Sequence, residues 1–273
     1  MKSRNTYVLG HSDKELDRLT LQARMLEPLT RHLLQEAGIR PGMRVLDIGC
    51  GSGDVSFLVA DLVGPAGRVV GIDMAPAAVQ RAGMRARSSD LVNVSFVQGD
   101  PLQTEFTDRF DAVVGRLVMM YLSDPVEALR KLARDLRPGG LIVIQEIDME
   151  SCRSMPPSPL LDQCLRWVNQ ALHMTSARIR MGLELHSVFV EAGLPAPSLR
   201  LEAAVAAGAG SPIYAAVAEA VRTLLPAIEK FSIASAREVG IEDLEHRLRK
   251  EIAEVGGTAV YPSLIGAWAR VAA

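Results

Sequence analysis

The sequence predicts an α/β fold: a doubly wound, mostly parallel seven-stranded sheet with helices on both faces and a helical cap. Short apolar runs rich in β-branched residues alternate with helical patterns between residues 44 and 206, which is the order expected of βαβ units. The first run ends at Asp47–Asp54, where three glycines stand at alternate positions before a helical pattern. A strand that turns through glycine into a helix exposes backbone N–H groups to a ligand.

The composition of the chain argues against several classes of protein. The chain has 273 residues, enough for one large domain or a core with a small cap. Its formal net charge is −2 and its Lys and Arg residues form no stripe, which argues against nucleic acid as the main partner. No apolar stretch approaches the roughly 18 residues of a membrane span, and the N-terminus lacks a signal-peptide core. The three cysteines have no metal spacing, so we expect no metal and reduced thiols in a cytoplasmic protein.

The predicted elements follow in order. Residues 1–40 are expected to form an N-terminal helical cap, in which Ser12 and Glu15 fit a capping box. Pro28 is expected to end or kink its first helix, and Gly38 to close a second one. The core is expected over 41–206, with strands at 44–48, 68–73, 94–100, 110–115, 141–146 and 198–206.

Beyond the core, residues 207–257 are expected to form a helical insertion that is either a lid or a dimer contact. Residues 258–273 are expected to return to the core sheet as its last strand, at about 260–271. Within the core, the helix expected over 76–88 carries Arg81, Arg85 and Arg87, which we place on its solvated face.

The spacing of the glycine turn separates two cofactor classes. A dinucleotide fingerprint needs its third glycine at position 54, but this residue is Asp54, which would set a negative charge beside a pyrophosphate. Asp47, two residues before the first glycine, can instead hold a cationic group such as an ammonium or sulfonium centre. This pattern, with Gly49, Gly51 and Gly53, resembles the first motif of the class I S-adenosylmethionine-dependent methyltransferases. The resemblance implies a Rossmann-like core with S-adenosyl-L-methionine as its cofactor.

Acids also stand at the ends of the next two strands. Asp73 ends strand two, where a carboxylate can accept hydrogen bonds from both ribose hydroxyls; Met74 follows and can pack on the adenine. In the resembled family an Asp at the end of strand three accepts from the adenine amino group, and Asp100 with Pro101 matches that motif. The turn Arg137–Gly140 is also similar to the family's turn before strand five, so the resemblance covers residues 40–195.

Three further residues are candidates for the methionine end of the cofactor. Arg116, directly after strand four, can pair with a carboxylate because its guanidinium suits bidentate binding. Helices that precede the core cover the cofactor in many methyltransferases, which makes Tyr7 and Gln22 candidate contacts. A packing or surface role for Tyr7 and Gln22 is equally compatible with the sequence.

Methyl transfer from a sulfonium is an in-line displacement, for which orientation can account for roughly 7–11 kcal/mol of the barrier. A general base adds about 10²–10⁴-fold when the acceptor is protonated. The candidate bases are Glu146 and Asp148 at the end of strand five, and His173 and His186 in later helices. At least two of them must instead be structural or surface residues. The expected lining of the acceptor pocket is His11, Met120, Tyr121 and Trp167, although Met residues more often pack in the core.

The sequence therefore predicts a methyltransferase acting on a small, aromatic or otherwise apolar metabolite, at an oxygen, nitrogen or carbon atom. No Asn-Pro-Pro-Tyr motif follows strand four, which disfavours a flipped nucleic-acid base as acceptor. The expected partners are this small-molecule acceptor and, depending on the helical insertion, a second copy in a homodimer. Two alternatives stay open: an NAD-dependent oxidoreductase, which Asp47 and Asp54 fit badly, and a non-catalytic S-adenosylmethionine-binding subunit.

Overall fold

The computed structural model describes the backbone of residues 13–272 and the side chains of residues 22–272. Tyr7 and His11, two of the expected site residues, lie outside the described residues. The described chain forms two compact units. The sheet unit consists of Leu26–Glu146, Met181–Leu201 and the residues from Ile265 onward. The helical unit consists of the described residues up to Met25, Ile147–Arg180 and Glu202–Leu264.

The described elements alternate between strand and helix from β1 to β3, and later ones also follow in pairs or runs of one kind. The strands are β1 Arg44–Ile48, β2 Arg68–Asp73, β3 Val94–Gln98, β4 Phe110–Arg116, β5 Leu136–Asp148, β6 Arg153–Met155, β7 Ser198–Glu202, β8 Val205–Ala207, β9 Thr258–Val260 and β10 Ser263–Arg270. The helices are α1 Asp13–Ala37, α2 Asp54–Val63, α3 Pro76–Ser88, α4 Pro125–Arg134, α5 Pro159–Met174, α6 Met181–Glu191, α7 Pro212–Lys230, α8 Ala236–Val239 and α9 Leu244–Ala253.

Seven strands form one sheet in the order β3-β2-β1-β4-β5-β10-β7. The ladders that join β3, β2, β1, β4 and β5 are parallel, which confirms the predicted α/β fold. Val45, Leu46 and Ile48 of β1 are fully buried, as expected for a central strand covered on both faces. The strand order reverses between β1 and β4, and open α/β sheets bind ligands beyond the carboxyl ends of the strands at such a point.

The N-terminal helix does not end at Pro28, so the expectation of two helices is wrong. Helix α1 runs without a break from Asp13 to Ala37 with Pro28 inside it. Pro28 is exposed, and so is Arg24, whose carbonyl loses the N–H partner that a proline cannot supply. Water can satisfy this carbonyl, while Leu26 and Leu33 on either side of the proline are buried. Burial of Leu26 and Leu33 therefore outweighs the tendency of proline to end a helix.

Strand β5 is longer than the predicted 141–146. It begins at Leu136, and its pairing with β4 jumps from Phe110–Leu136 to Ala112–Leu141. The residues between them contain Pro138, which has no N–H, and Gly139, whose φ is 72°. The expected turn before strand five is thus an irregularity inside a strand.

The predicted strands 198–206 and 260–271 are each divided in two. β7 and β10 belong to the large sheet, whereas β8 and β9 form a second sheet with β6 in the order β6-β9-β8. Pro262 separates β9 from β10, because a proline cannot donate to a ladder. The antiparallel pairing of β9 with both β6 and β8 is a long-range arrangement that the strand patterns do not predict.

The helical unit has a core of its own. Helices α5, α7 and α9 contribute fully buried side chains, among them Cys164, Val221 and Leu248. Ser158 caps α5 through its Oγ, which also donates to Glu251 Oε1 at 2.8 Å. Glu251 thereby joins the start of α5 to α9, which fixes two of the three helices to each other.

Candidate cofactor and active site

The turn between β1 and α2 is built on left-handed backbone. Gly49, Gly51 and Gly53 have φ values of 59°, 52° and 88°. Residues with a Cβ adopt this region only at a cost of about 1–2 kcal/mol, whereas glycine adopts it freely. The three alternate glycines are therefore needed for the path of the chain.

The three glycines differ in what surrounds them. A Cβ on Gly49 would lie 2.4 Å from Val118 Cγ2, and one on Gly53 would lie 2.9 Å from the Phe96 ring. A Cβ on Gly51 would meet nothing within 4 Å among the described residues. The outer two glycines permit close packing, and the middle one leaves open space against the backbone, where a ligand can lie.

Asp47 is a buried carboxyl close to this turn in the chain. It is 1% exposed, and its Oδ2 accepts a hydrogen bond from Ser56 Oγ in the first turn of α2. Burial raises the pKa of Asp47 to about 7, opposed by the Ser56 hydrogen bond and by the positive charge of Arg116. A positive ligand group near Asp47 would favour its ionised form.

Asp73 connects the end of β2 to the glycine turn. Its Oδ2 accepts from Gly51 N at 2.9 Å and its Oδ1 from Ala75 N at 2.8 Å. Each carboxylate oxygen keeps a further lone pair, because it accepts only one of these bonds. Asp73 can therefore shape the turn and still accept from two hydroxyls.

Asp100 lies beyond the end of β3 in a similar arrangement. It accepts from Leu102 N and from Gln103 Nε2, both at 2.8 Å. Pro101 is buried, whereas Met74, after β2, is 61% exposed and free to cover a ligand. Since β1, β2 and β3 are neighbours in the sheet, their three terminal acids stand at one edge of it.

Asp54, which excludes the dinucleotide fingerprint, is neutralised within the sheet unit. Arg85 Nη2 lies 2.9 Å from Asp54 Oδ1, and Arg85 Nη1 donates to Ser52 O at 2.6 Å. The Arg85 guanidinium also stacks over the Phe57 ring. Arg85, predicted to lie on a solvated face, is 35% exposed in its side chain and also braces the glycine turn.

Arg116 belongs to a polar network inside the sheet unit. Its Nη1 donates to Thr30 Oγ1 at 3.0 Å, and Thr30 Oγ1 donates to Gln145 Oε1 at 2.8 Å. Burial lowers the pKa of Arg116, opposed by the charges of Asp54 and Asp47. Sequence reasoning missed Thr30 and Gln145, although each is a polar residue within a buried apolar pattern.

Glu146 is fully buried, with 0% exposure. Its Oε1 accepts from Val118 N at 2.8 Å and Met119 N at 2.6 Å, and its Oε2 has no hydrogen-bond partner among the described residues. Burial raises the pKa of Glu146 to about 8, opposed by its backbone hydrogen bonds. Val118, which sequence reasoning also missed, thus contacts both this carboxyl and the glycine turn.

The other candidate bases are divided between the two units. Asp148 is half-buried and accepts from Glu150 N at 3.2 Å, while His173 is exposed at the end of α5; both belong to the helical unit. His186 is exposed on α6 of the sheet unit.

Of the described candidates Gln22, Met120, Tyr121 and Trp167, two are buried and two are half-buried. Gln22 Nε2 donates to Tyr261 Oη at 2.8 Å within the helical unit. Trp167 is buried in α5, and Met120 is buried in a 3₁₀ turn directly before the half-buried Tyr121.

Among residues 22–272, no group of three or more His, Cys, Asp or Glu side chains could hold a metal ion. The three cysteines are free and buried, and burial raises the pKa of each thiol. No helix in the described part of the chain has the length and apolar character to cross a membrane.

Comparison with known proteins identifies the family. A sequence model described as a methyltransferase domain matches residues 39–193, more than half of the chain. The 2-phytyl-1,4-naphtoquinone methyltransferase of Synechococcus elongatus is 40% identical over 136 residues, which are 49% of this chain and 55% of that protein. Demethylmenaquinone methyltransferase of Staphylococcus aureus is 31% identical over 134 residues, 49% of this chain and 52% of that protein.

The chain thus spans about half the length of the curated relatives it matches. The solved structure of the YcgJ protein from Bacillus subtilis has a TM-score of 0.57 at 19% identity, covering 90% of this chain and 98% of that one. At this identity the likeness shows the fold alone. Because the methyltransferase domain model matches more than half of the chain, the chain belongs to this family, with the class I fold of S-adenosylmethionine-dependent methyltransferases.

Proposed function

We propose that this protein transfers a methyl group from S-adenosylmethionine to an oxygen, nitrogen or carbon atom of a small, aromatic or apolar molecule. The observation that carries the proposal is the open space over Gly51, with hydrogen-bonding capacity left on Asp73 beside it and on Asp100 after β3. Bare backbone and acids at neighbouring strand ends suit a nucleoside with a cationic amino-acid tail, and family membership supports the same ligand.

The residues of the sheet unit fit this cofactor. In the proposal, Gly49, Gly51 and Gly53 give the methionine end a close approach to the backbone, and Asp47 favours its positive charge. Arg116 pairs with its carboxylate. Outside the sheet unit, Gln22 and Tyr7 are further proposed contacts. Asp73 accepts from the ribose, Asp100 with Pro101 receives the adenine edge, and Met74 covers the adenine face. S-adenosylmethionine, when bound, supplies a methyl group already activated by the positive sulfonium.

The protein must orient the acceptor relative to the methyl group. Holding the acceptor in line with the methyl group can account for roughly 7–11 kcal/mol of the barrier. Asp148, His173 and His186 stay proposed bases for an acceptor that must lose a proton; Asp148 is half-buried and both histidines are exposed.

The proposed acceptor class rests on the pocket candidates and the relatives. Met120, Tyr121, Trp167 and His11 are the side chains we propose to line its pocket, and the first three are apolar or aromatic. Both curated relatives are named for methyl transfer to a quinone, which supports an aromatic or apolar ring as the acceptor.

The proposal also covers the location of the protein, the class of its acceptor and its oligomeric state. We infer a cytoplasmic location, supported by three free cysteines, and an acceptor other than nucleic acid, supported by the slightly negative net charge. The segment 207–257 stays a proposed lid or dimer contact. Light scattering during size-exclusion chromatography tests the homodimer: a mass of one chain at micromolar concentration contradicts it.

Binding of S-adenosylhomocysteine, measured by titration calorimetry, tests the cofactor. We expect the wild-type protein to bind it and to bind no NADH. Asp100→Asn should weaken binding about tenfold, because the amide loses an acceptor oxygen. The control Asp90→Asn, in an exposed turn at φ 51°, should bind as the wild type does. Binding of NADH alone would favour the oxidoreductase alternative.

Transfer of a labelled methyl group tests the activity. The protein is incubated with methyl-labelled S-adenosylmethionine and a small-molecule cell extract, and the product is identified by mass. We expect label in a low-mass apolar product and none in added RNA or DNA. Binding of S-adenosylhomocysteine without transfer to any acceptor would favour the non-catalytic subunit.

A further inference from the structure

Glu146 lies in β5, directly beyond the last residue pair that β5 forms with β4. In the ladder between β4 and β5, Arg116 pairs with Gln145, so Glu146 is the next residue beyond this pair. The chain after β4 bends at Leu117, a non-glycine residue with φ 57°, whose N–H donates to Gln145 O at 2.9 Å. Left-handed backbone at a leucine persists only where its surroundings hold it.

The Glu146 carboxyl fixes the segment Leu117–Met119 through hydrogen bonds to its backbone. Two successive N–H groups, those of Val118 and Met119, both point at Glu146 Oε1, at 2.8 and 2.6 Å. Two successive N–H groups that converge on one acceptor oxygen fix their peptide units relative to that oxygen. Without the carboxyl, these two donors would be left unsatisfied, and unpaired buried donors are costly.

The segment in turn packs on the glycine turn. Val118 Cγ2 occupies the space where a Cβ of Gly49 would stand, 2.4 Å away. A chain of contacts therefore runs from Glu146 through the Val118 backbone and side chain to Gly49. Movement of Val118 would free Gly49 and change the surface that the proposed cofactor meets.

We propose that Glu146 is a positioning residue: its carboxyl fixes the turn Leu117–Met119, and through Val118 keeps the glycine turn in its binding shape. The inference rests on the proposed function for its consequence on cofactor binding, but the geometry itself lies within the sheet unit. It replaces the role of general base that the sequence suggested for Glu146.

The burial of Glu146 argues against a role as general base. Glu146 is 0% exposed, and Oε1 already accepts two backbone hydrogen bonds. A base must come within hydrogen-bond reach of the acceptor's proton, directly or through one water. Burial favours the neutral form of the carboxyl by raising its pKa, and a neutral carboxyl still accepts through its carbonyl oxygen. Glutamine retains this oxygen, and so it can replace the glutamic acid in the positioning role.

The experiment compares Glu146→Gln, Glu146→Leu and Val118→Ala with a matched control, Glu150→Gln, whose side chain is exposed. We expect Glu146→Gln to keep the Kd for S-adenosylhomocysteine within threefold, kcat within tenfold and the pH profile unchanged. Glu146→Leu and Val118→Ala should raise that Kd at least fivefold. A hundredfold loss of kcat in Glu146→Gln at unchanged Kd, with one limb of the pH profile gone, would make Glu146 the base and overturn the inference.

Hydrogen exchange supplies a readout that needs no cofactor. In the ligand-free protein, Glu146→Leu should speed amide exchange in residues 116–121 at least tenfold, while Glu146→Gln and Glu150→Gln leave it unchanged. Unchanged exchange in a folded Glu146→Leu would overturn the positioning role; should that variant not fold, an unchanged Kd for S-adenosylhomocysteine in Val118→Ala would do so. If the wild type binds no S-adenosylhomocysteine while the expected exchange pattern is seen, the proposed function fails and the positioning role stands.

Discussion

Asp47 and Glu146 are two buried carboxyls of the sheet unit whose ionisation opposes folding. Burial raises the pKa of Asp47 from 3.8 to about 7 and that of Glu146 from 4.5 to about 8. Between about pH 4 and these values, the folded state keeps protons that the unfolded chain has released. The free energy of unfolding contributed by both groups therefore falls as the pH rises through this window.

We expect the ligand-free protein to be less stable at pH 8 than at pH 5, and Glu146→Gln to reduce this difference. The glutamine cannot lose a proton, so the variant lacks one contribution to the fall of the unfolding free energy with pH. The contribution of one group is at most about 1.4 kcal/mol per pH unit. Urea denaturation at pH 5, 6.5 and 8 measures it. Glu150→Gln should keep the wild-type slope, and an unchanged slope in Glu146→Gln would show that its carboxyl is ionised in the folded state.

Gly49 and Gly51 offer a second comparison between single residues. Both have positive φ, but only a Cβ on Gly49 would collide with a neighbour. Gly51→Ala should lower the free energy of unfolding by about 1 kcal/mol, the cost of left-handed backbone. Gly49→Ala should lower it by about 2–4 kcal/mol, because overpacking against Val118 adds to that cost. Urea denaturation of the two variants checks this order, which equal losses would contradict.

At the scale of elements, helix α1 shows how tertiary burial overrides a local signal. Pro28 lies inside the helix, exposed, between turns that bury Leu26 and Leu33. The same reasoning applies to α7, which continues through the exposed Pro226. In both helices the proline faces water, where its lost hydrogen bond costs least.

Pro28→Ala should stabilise the protein. It restores an N–H donor to the Arg24 carbonyl and removes a clash with that carbonyl, worth on the order of 1–3 kcal/mol in a helix interior. The midpoint of urea unfolding measures the gain, and Pro226→Ala serves as a parallel case in α7. A loss of stability in Pro28→Ala would mean that the rest of α1 is fitted to a kink at the proline.

At the scale of the whole molecule, the described chain combines a methyltransferase sheet unit with a helical unit that has its own core and small sheet. The family match covers residues 39–193, so it extends over most of the sheet unit and over the segment Ile147–Arg180 of the helical unit. The later helices α7, α8 and α9 lie outside that match.

A ligand that binds only the folded protein must stabilise it by mass action. S-adenosylhomocysteine at a hundred times its Kd should raise the free energy of unfolding by about 2.7 kcal/mol, and NADH at the same concentration should leave it unchanged. Thermal unfolding with each ligand is the measurement. The control is Gly51→Ala, whose Cβ would stand in the open space over the turn and should reduce the shift in Tm.

The sequence by itself determined the fold class and the positions of the glycine turn and the strand-end acids. These features are local: a glycine turn needs left-handed backbone at fixed positions, and an acid after an apolar run stands at a strand end. The family assignment followed from the same residues, since Asp47, Gly49, Gly51 and Gly53 form one short motif.

Only the tertiary structure decided which side chains meet. The hydrogen bonds of Glu146 to Val118 and Met119, and the network of Arg116 with Thr30 and Gln145, join residues far apart in the chain. The division of the last strands between two sheets depends on similar long-range pairing. Periodicity in a sequence records which face of an element is buried, but not what lies against that face.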